Sequence, residues 1–98
     1  MKIKVTRRAE KRIEIVDRYW RQNRLEAPDL LKQELVAAEA RLSEDPNAGK
    51  ACVINGKKYR RLLLPRTEQW LYYKVRQKQD LIVVQTLWGA RRGREPKL

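Results

Sequence analysis

The chain has no histidine and only one cysteine, Cys52. Cys and His supply nearly all structural zinc ligands and most catalytic ones, so neither a metal site nor another cofactor is expected. Without histidine the commonest general base is also missing, and any catalysis would fall to Lys, Tyr, Glu, Asp or transition-state electrostatics. A lone thiol rules out an internal disulfide and fits a reducing compartment. Apolar runs stop at four residues, as in Leu81 to Val84, far short of the ~20 that span a bilayer. The opening MKIKVTRRAEKRIEIV lacks the apolar core of a secretory signal, so a cytoplasmic protein with no membrane partner is expected.

Acidic residues are scarce as well: 12 Asp+Glu stand against 24 Lys+Arg, a net charge of +12. The excess is uneven, because residues 1–49 hold 11 basic and 9 acidic side chains whereas residues 50–98 hold 13 and 3, net +2 and +10. Such a field concentrates anionic partners without choosing among them. At 98 residues the chain makes one domain whose core removes roughly 60 to 70% of the unfolded surface from water.

The pattern along the chain predicts an α+β architecture in two layers. Lys2 to Val5 alternates charged and apolar residues, as an edge strand does. Thr6 is placed to cap a helix over Arg7 to Arg24, whose positions Ala9, Ile13, Val16 and Trp20 form an apolar stripe widened by Ile15 and Tyr19. A second helix starts at Ala27-Pro28-Asp29, with Pro at its first position, carries Leu31, Leu35, Ala38 and Leu42 on one face, and ends before Pro46. Short strands follow at Ala51 to Ile54, Tyr59 to Leu64, Gln69 to Arg76 and Leu81 to Trp88; Asn55-Gly56 is a hairpin-turn dipeptide. The helix pair is expected to cover one face of a small antiparallel sheet. Ala90 to Leu98, with four basic residues and Pro96, reads as a loose basic tail.

That order of elements, with Tyr59-Arg60-Arg61-Leu62, the strand Leu71-Tyr72-Tyr73-Lys74-Val75 and the ending Val83-Val84-Gln85-Thr86-Leu87-Trp88-Gly89-Ala90-Arg91-Arg92, resembles the RelE/ParE family of bacterial toxins. The resemblance spans nearly the whole chain and implies the toxic half of a two-gene toxin–antitoxin module, in a hetero-oligomer with its antitoxin. RelE-like members cut messenger RNA on the ribosome with basic residues on the open sheet face and a tyrosine beyond the last strand. ParE-like members share the fold and poison DNA gyrase. Arg60 and Arg91 fall where two basic residues of the ribonuclease set would. The Arg expected on the Leu71–Val75 strand is replaced by Trp70, and no Tyr follows Gly89. RNA cleavage by its own 2′-OH needs a base, an acid and cations for the phosphorane, and arginine exchanges protons poorly near neutrality. The resemblance therefore implies the ParE-like branch, with the ribonuclease and a non-toxic basic nucleic-acid-binding module as alternatives.

The expected working surface is the open sheet face with its flanking tail: Arg60, Arg61, Trp70, Tyr72, Lys74, Arg91, Arg92 and Arg94. Each arginine alone fits an ordinary solvated charge; together they raise the potential of one half of the molecule. Of Arg60 and Arg61, one is expected to face the helices, since strand neighbours alternate. Trp70 and Tyr72 are assigned to the open face because the opposite set, Leu71, Tyr73 and Val75, is more apolar. Trp88 is assigned to the core with Ile82, Val84 and Thr86, and Trp20 to the core of the first helix. Cys52 reads as a small apolar residue with no nearby base to activate it. Glu10, Glu14 and Asp17 read as solvent-side ion-pair partners.

Overall fold

The computed structural model covers residues 1–98. Strand β1 (Lys2–Val5) leads into helices α1 (Arg7–Asn23) and α2 (Leu30–Glu44), followed by strands β2 (Lys50–Ile54), β3 (Lys57–Leu64), β4 (Gln69–Arg76) and β5 (Leu81–Gly89). The sheet order is β1-β5-β4-β3-β2. Strands β2 to β5 pair antiparallel, but β1 lies parallel to β5, so the sheet is mixed and not purely antiparallel. No helix is long and apolar enough to cross a membrane.

Local chemistry explains the element ends. The Thr6 hydroxyl accepts from the Ala9 N–H at 3.1 Å and donates to the Gln85 carbonyl at 3.3 Å, so one residue caps α1 and ties it to β5. The second helix begins later than predicted, at Leu30: Pro28 lies outside it, and Asp29 at the N-cap makes no side-chain cap. Its carboxylate is taken by Arg21 at 3.0 Å, and Arg21 also holds Asp17 at 2.8 Å. Glu10 and Glu14, read as further pairs, have no cation within 4.0 Å. Asn55 and Gly56 both have positive φ, 51° and 75°, the backbone a tight two-residue hairpin needs.

The helices bury Ala9, Val16, Leu31, Ala38 and Leu42 against Leu62, Leu64, Leu71, Tyr73, Ile82, Val84 and Leu87. Trp20 packs at the rim of this core, partly buried. The stripe on α1 is wider than the sheet can cover, and Ile15 and Tyr19 each remain 53% exposed. Tyr73 is fully buried; its hydroxyl accepts from the Gly49 N–H at 2.8 Å and donates to the Pro46 carbonyl at 2.9 Å, pinning the α2–β2 loop. Gly49 is needed for that approach: a Cβ there would lie 2.6 Å from the Tyr73 hydroxyl and 2.8 Å from the Arg61 carbonyl oxygen.

Trp88 does not belong to this core. Tyr72 pairs with Thr86 but Tyr73 pairs with Val84, leaving Gln85 as an extra residue in β5. That bulge breaks the alternation of strand faces. Ile82 and Val84 meet the helices, as does Leu87, while Trp88 turns to the opposite face beside Trp70.

Candidate functional site

The sheet face away from the helices carries a second, smaller cluster: Ile54, Tyr59 and Tyr72, with Cys52, Trp70, Trp88 and Leu98 packed around them. The tail is not loose. Beyond Gly89 the chain turns back, the Trp88 indole N–H donates to the Arg94 carbonyl at 2.8 Å, Pro96 is buried, and Leu98 reaches the cluster. This covering leaves Tyr72 only 2% exposed. Tyr72 thus lies on the predicted face but beneath its surface, packed in this cluster.

Above that cluster the arginines lie on the tryptophans. The Arg61 guanidinium sits 4.1 Å from the Trp70 ring centroid; Arg92 sits 4.1 Å and Arg94 6.0 Å from that of Trp88. Planar guanidinium against an indole face is favourable and leaves the N–H edges free for a carboxylate or phosphate. Each tryptophan ring is thus met by at least one of the protein's own cations. Arg61, Trp70, Trp88, Arg92 and Arg94 share one shallow depression of about 300 Å³, with Glu95 at its margin. None of its three arginines forms an ion pair.

The remaining predicted residues lie elsewhere. Arg60 is on the helix side of β3, in phase with Leu62 and Leu64, and donates to the Gly49 carbonyl at 2.7 Å. It braces the α2–β2 loop and is not part of the open face. Lys74 lies 4.7 Å from the Tyr59 ring, in a separate basic groove with Lys58, Arg60 and Arg76. Arg91 is exposed and bonded to Glu68 at 2.9 Å, so its charge is locally matched. Cys52 is partly buried, and burial is the main cause that pushes its thiol pKa up, which disfavours the thiolate.

Two residues escaped the sequence reading. Arg12 on α1 reaches within 6.0 Å of the Trp88 centroid. Its pKa is lowered, first by burial and then by the neighbouring Arg92. Only knowledge of which side of α1 meets the end of β5 would have found it. Glu34 on α2 accepts from the Thr67 N–H at 2.8 Å, the Thr67 hydroxyl at 2.7 Å and the Arg66 N–H at 3.0 Å, clamping the β3–β4 turn.

Residues 3–93 match the family model described as the ParE toxin of the type II toxin–antitoxin system, parDE. The chain belongs to the ParE toxin family. No match was found among curated proteins. As a ParE toxin it is the toxin of a type II module, which implies an antitoxin partner. The predicted RelE/ParE-like α+β fold, a helix pair on one face of a small sheet, is the one observed, with five strands and with β1 parallel to β5.

Proposed function

We propose that this ParE toxin acts in the bacterial cytosol by binding and inhibiting DNA gyrase, as a binding protein with no catalysis of its own, and is silenced by a cognate antitoxin in a hetero-oligomer. The observation that carries the reading is the set of unpaired guanidiniums, Arg61, Arg92 and Arg94, held against Trp70 and Trp88 on one exposed face. Arginine and tryptophan dominate the energetics of protein interfaces when a partner removes them from water. Gyrase bound to DNA offers both carboxylates and phosphates to such a face.

The ribonuclease reading draws less support. Arg60 and Arg91, the two residues that would enter a ribonuclease set, are engaged by Gly49 and Glu68 in different parts of the molecule. Both are arginines, which exchange a proton poorly near neutrality. With purified components, the reading expects lost supercoiling or gyrase-dependent DNA breakage while ribosome-bound message stays intact. Message cut at defined sites, with gyrase unaffected, would refute it.

A further inference from the structure

The β3–β4 ladder runs from Leu64 opposite Gln69 to Arg60 opposite Tyr73 and stops there, although β3 begins at Lys57 and β4 continues to Arg76. Carried on in register, it would set Tyr59 against Lys74, Lys58 against Val75 and Lys57 against Arg76. Like charges directly opposite each other destabilise a strand pair. Each strand nevertheless keeps its outer neighbour, Lys57 pairing with Ile54 and Arg76 with Leu81. The sheet therefore forks, with the β2–β3 hairpin as one prong and the end of the β4–β5 pair as the other.

A cleft of about 290 Å³ lies in the fork. Strand alternation brings cations to it from both sides of the sheet: Lys58 and Arg60 are in phase with Leu62, and Lys74 and Arg76 with Tyr72. No Asp or Glu lines the cleft, and none of the four cations forms an ion pair. They repel one another until an anion enters. Two of them are already held in place, Arg60 by the Gly49 carbonyl at 2.7 Å and the Lys74 Nζ at 4.7 Å from the Tyr59 ring centroid. The backbone adds a donor, because Ile54 and Lys57 close the two-residue turn and the polar groups of Lys58 then point away from β2, into the unpaired gap.

We propose that this fork binds a short polyphosphate chain, of the kind a nucleoside triphosphate carries. Linked phosphates bring several negative charges into one small volume, as four converging cations require. A nucleic-acid strand instead spreads its charges along its length, one per nucleotide, and a duplex cannot enter a cleft of this size. No ring face is offered to a base, since Tyr59 is 5% exposed and lies under Lys74. Recognition is therefore of the phosphates. A chain bound there bridges the two prongs that the ladder leaves apart, and so stabilises the folded state.

The test is titration calorimetry on the full chain with four metal-free probes: inorganic tripolyphosphate, orthophosphate, adenosine triphosphate and single-stranded oligothymidylate. Tripolyphosphate should bind at one site per chain, about tenfold or more tighter than orthophosphate. Lys58→Glu and Lys74→Glu should each weaken it by about tenfold or more, whereas Lys11→Glu and Lys32→Glu, the same charge change at exposed helix positions, should stay within about threefold. Tripolyphosphate should also raise the melting temperature of the wild type and not that of Lys58→Glu. Melting of each free variant establishes that it is folded.

Adenosine triphosphate bound as tightly as tripolyphosphate would identify a nucleotide as the source of the chain; tripolyphosphate bound alone would identify an inorganic one, and either supports the site. No binding of tripolyphosphate, orthophosphate bound equally well, or equal losses in all four variants would overturn the proposal. So would oligothymidylate bound more tightly than tripolyphosphate and weakened by the same two substitutions, which would assign the fork to a nucleic-acid backbone. Gyrase takes no part in these measurements, so failure here leaves the target reading standing, and failure of that reading leaves this site standing.

Discussion

Replacing Trp88 by Phe removes the indole N–H that holds the Arg94 carbonyl at 2.8 Å, and gives Arg92 a weaker ring to lie on. A neutral hydrogen bond at a half-exposed site contributes about 1 kcal/mol. The poorer cation–ring contact removes up to about 1 kcal/mol more. The docked tail therefore loses about 1 to 2 kcal/mol, which raises its undocked population roughly 5- to 30-fold. Trypsin reports that population, because its cut after Arg94 needs an extended chain and closing is fast relative to cleavage at low protease. Mass spectrometry should show the 1–94 fragment accumulating faster by that factor, with the global melting transition little changed. An increase below about twofold would mean that the indole does not hold the tail, and the ordering of Arg92 and Arg94 would need another cause.

Glu34→Ala should destabilise the fold by about 2 to 3 kcal/mol in urea unfolding, because buried Thr67 loses a charged acceptor for both its N–H and its hydroxyl. Gly49→Ala should cost more than Gly56→Ala: the first drives a Cβ into the Tyr73 hydroxyl and a backbone carbonyl, whereas the second meets open space and bears only the positive-φ strain of about 1 to 2 kcal/mol. Burial raises the Tyr73 pKa above its ordinary value. The folded state thus holds that proton more tightly than the unfolded chain, so its contribution to stability is complete below about pH 10 and is lost as pH rises through the higher folded value. Tyr73→Phe should lack this alkaline component, measured as the slope of unfolding free energy against pH; an unchanged slope would show that Tyr73 is not its source.

Much of the fold was legible because its signals are local. A threonine before an apolar-periodic run marks a cap, Asn-Gly marks a tight hairpin, and the alternation in β4 separates Leu71, Tyr73 and Val75 from Trp70 and Tyr72. Trp88 was misassigned because face assignment by counting assumes an unbroken period of two, and the extra Gln85 shifts everything after it by one. The parallel placement of β1 beside β5 depends on how the whole chain returns, which no short pattern encodes. The tail was misread for a related reason: its order rests on single long-range contacts of Trp88, Pro96 and Leu98, not on any periodicity. The site was legible in composition but not in membership. Arg61, Arg92 and Arg94 converge, Arg60 and Arg91 are diverted to Gly49 and Glu68, and Arg12 arrives from a helix whose sequence reads as an ordinary amphipathic stripe.

The most direct test of the central claim is a gyrase supercoiling titration comparing two triple variants of equal charge. One carries Arg61→Glu, Arg92→Glu and Arg94→Glu on the tryptophan plates; the other carries Lys32→Glu, Lys57→Glu and Lys78→Glu at exposed positions elsewhere. The account predicts that the first loses inhibition by about tenfold or more while the second stays within about threefold of wild type, because oriented contacts and not net charge do the binding. Equal losses in both variants, or full inhibition by the first, would contradict it.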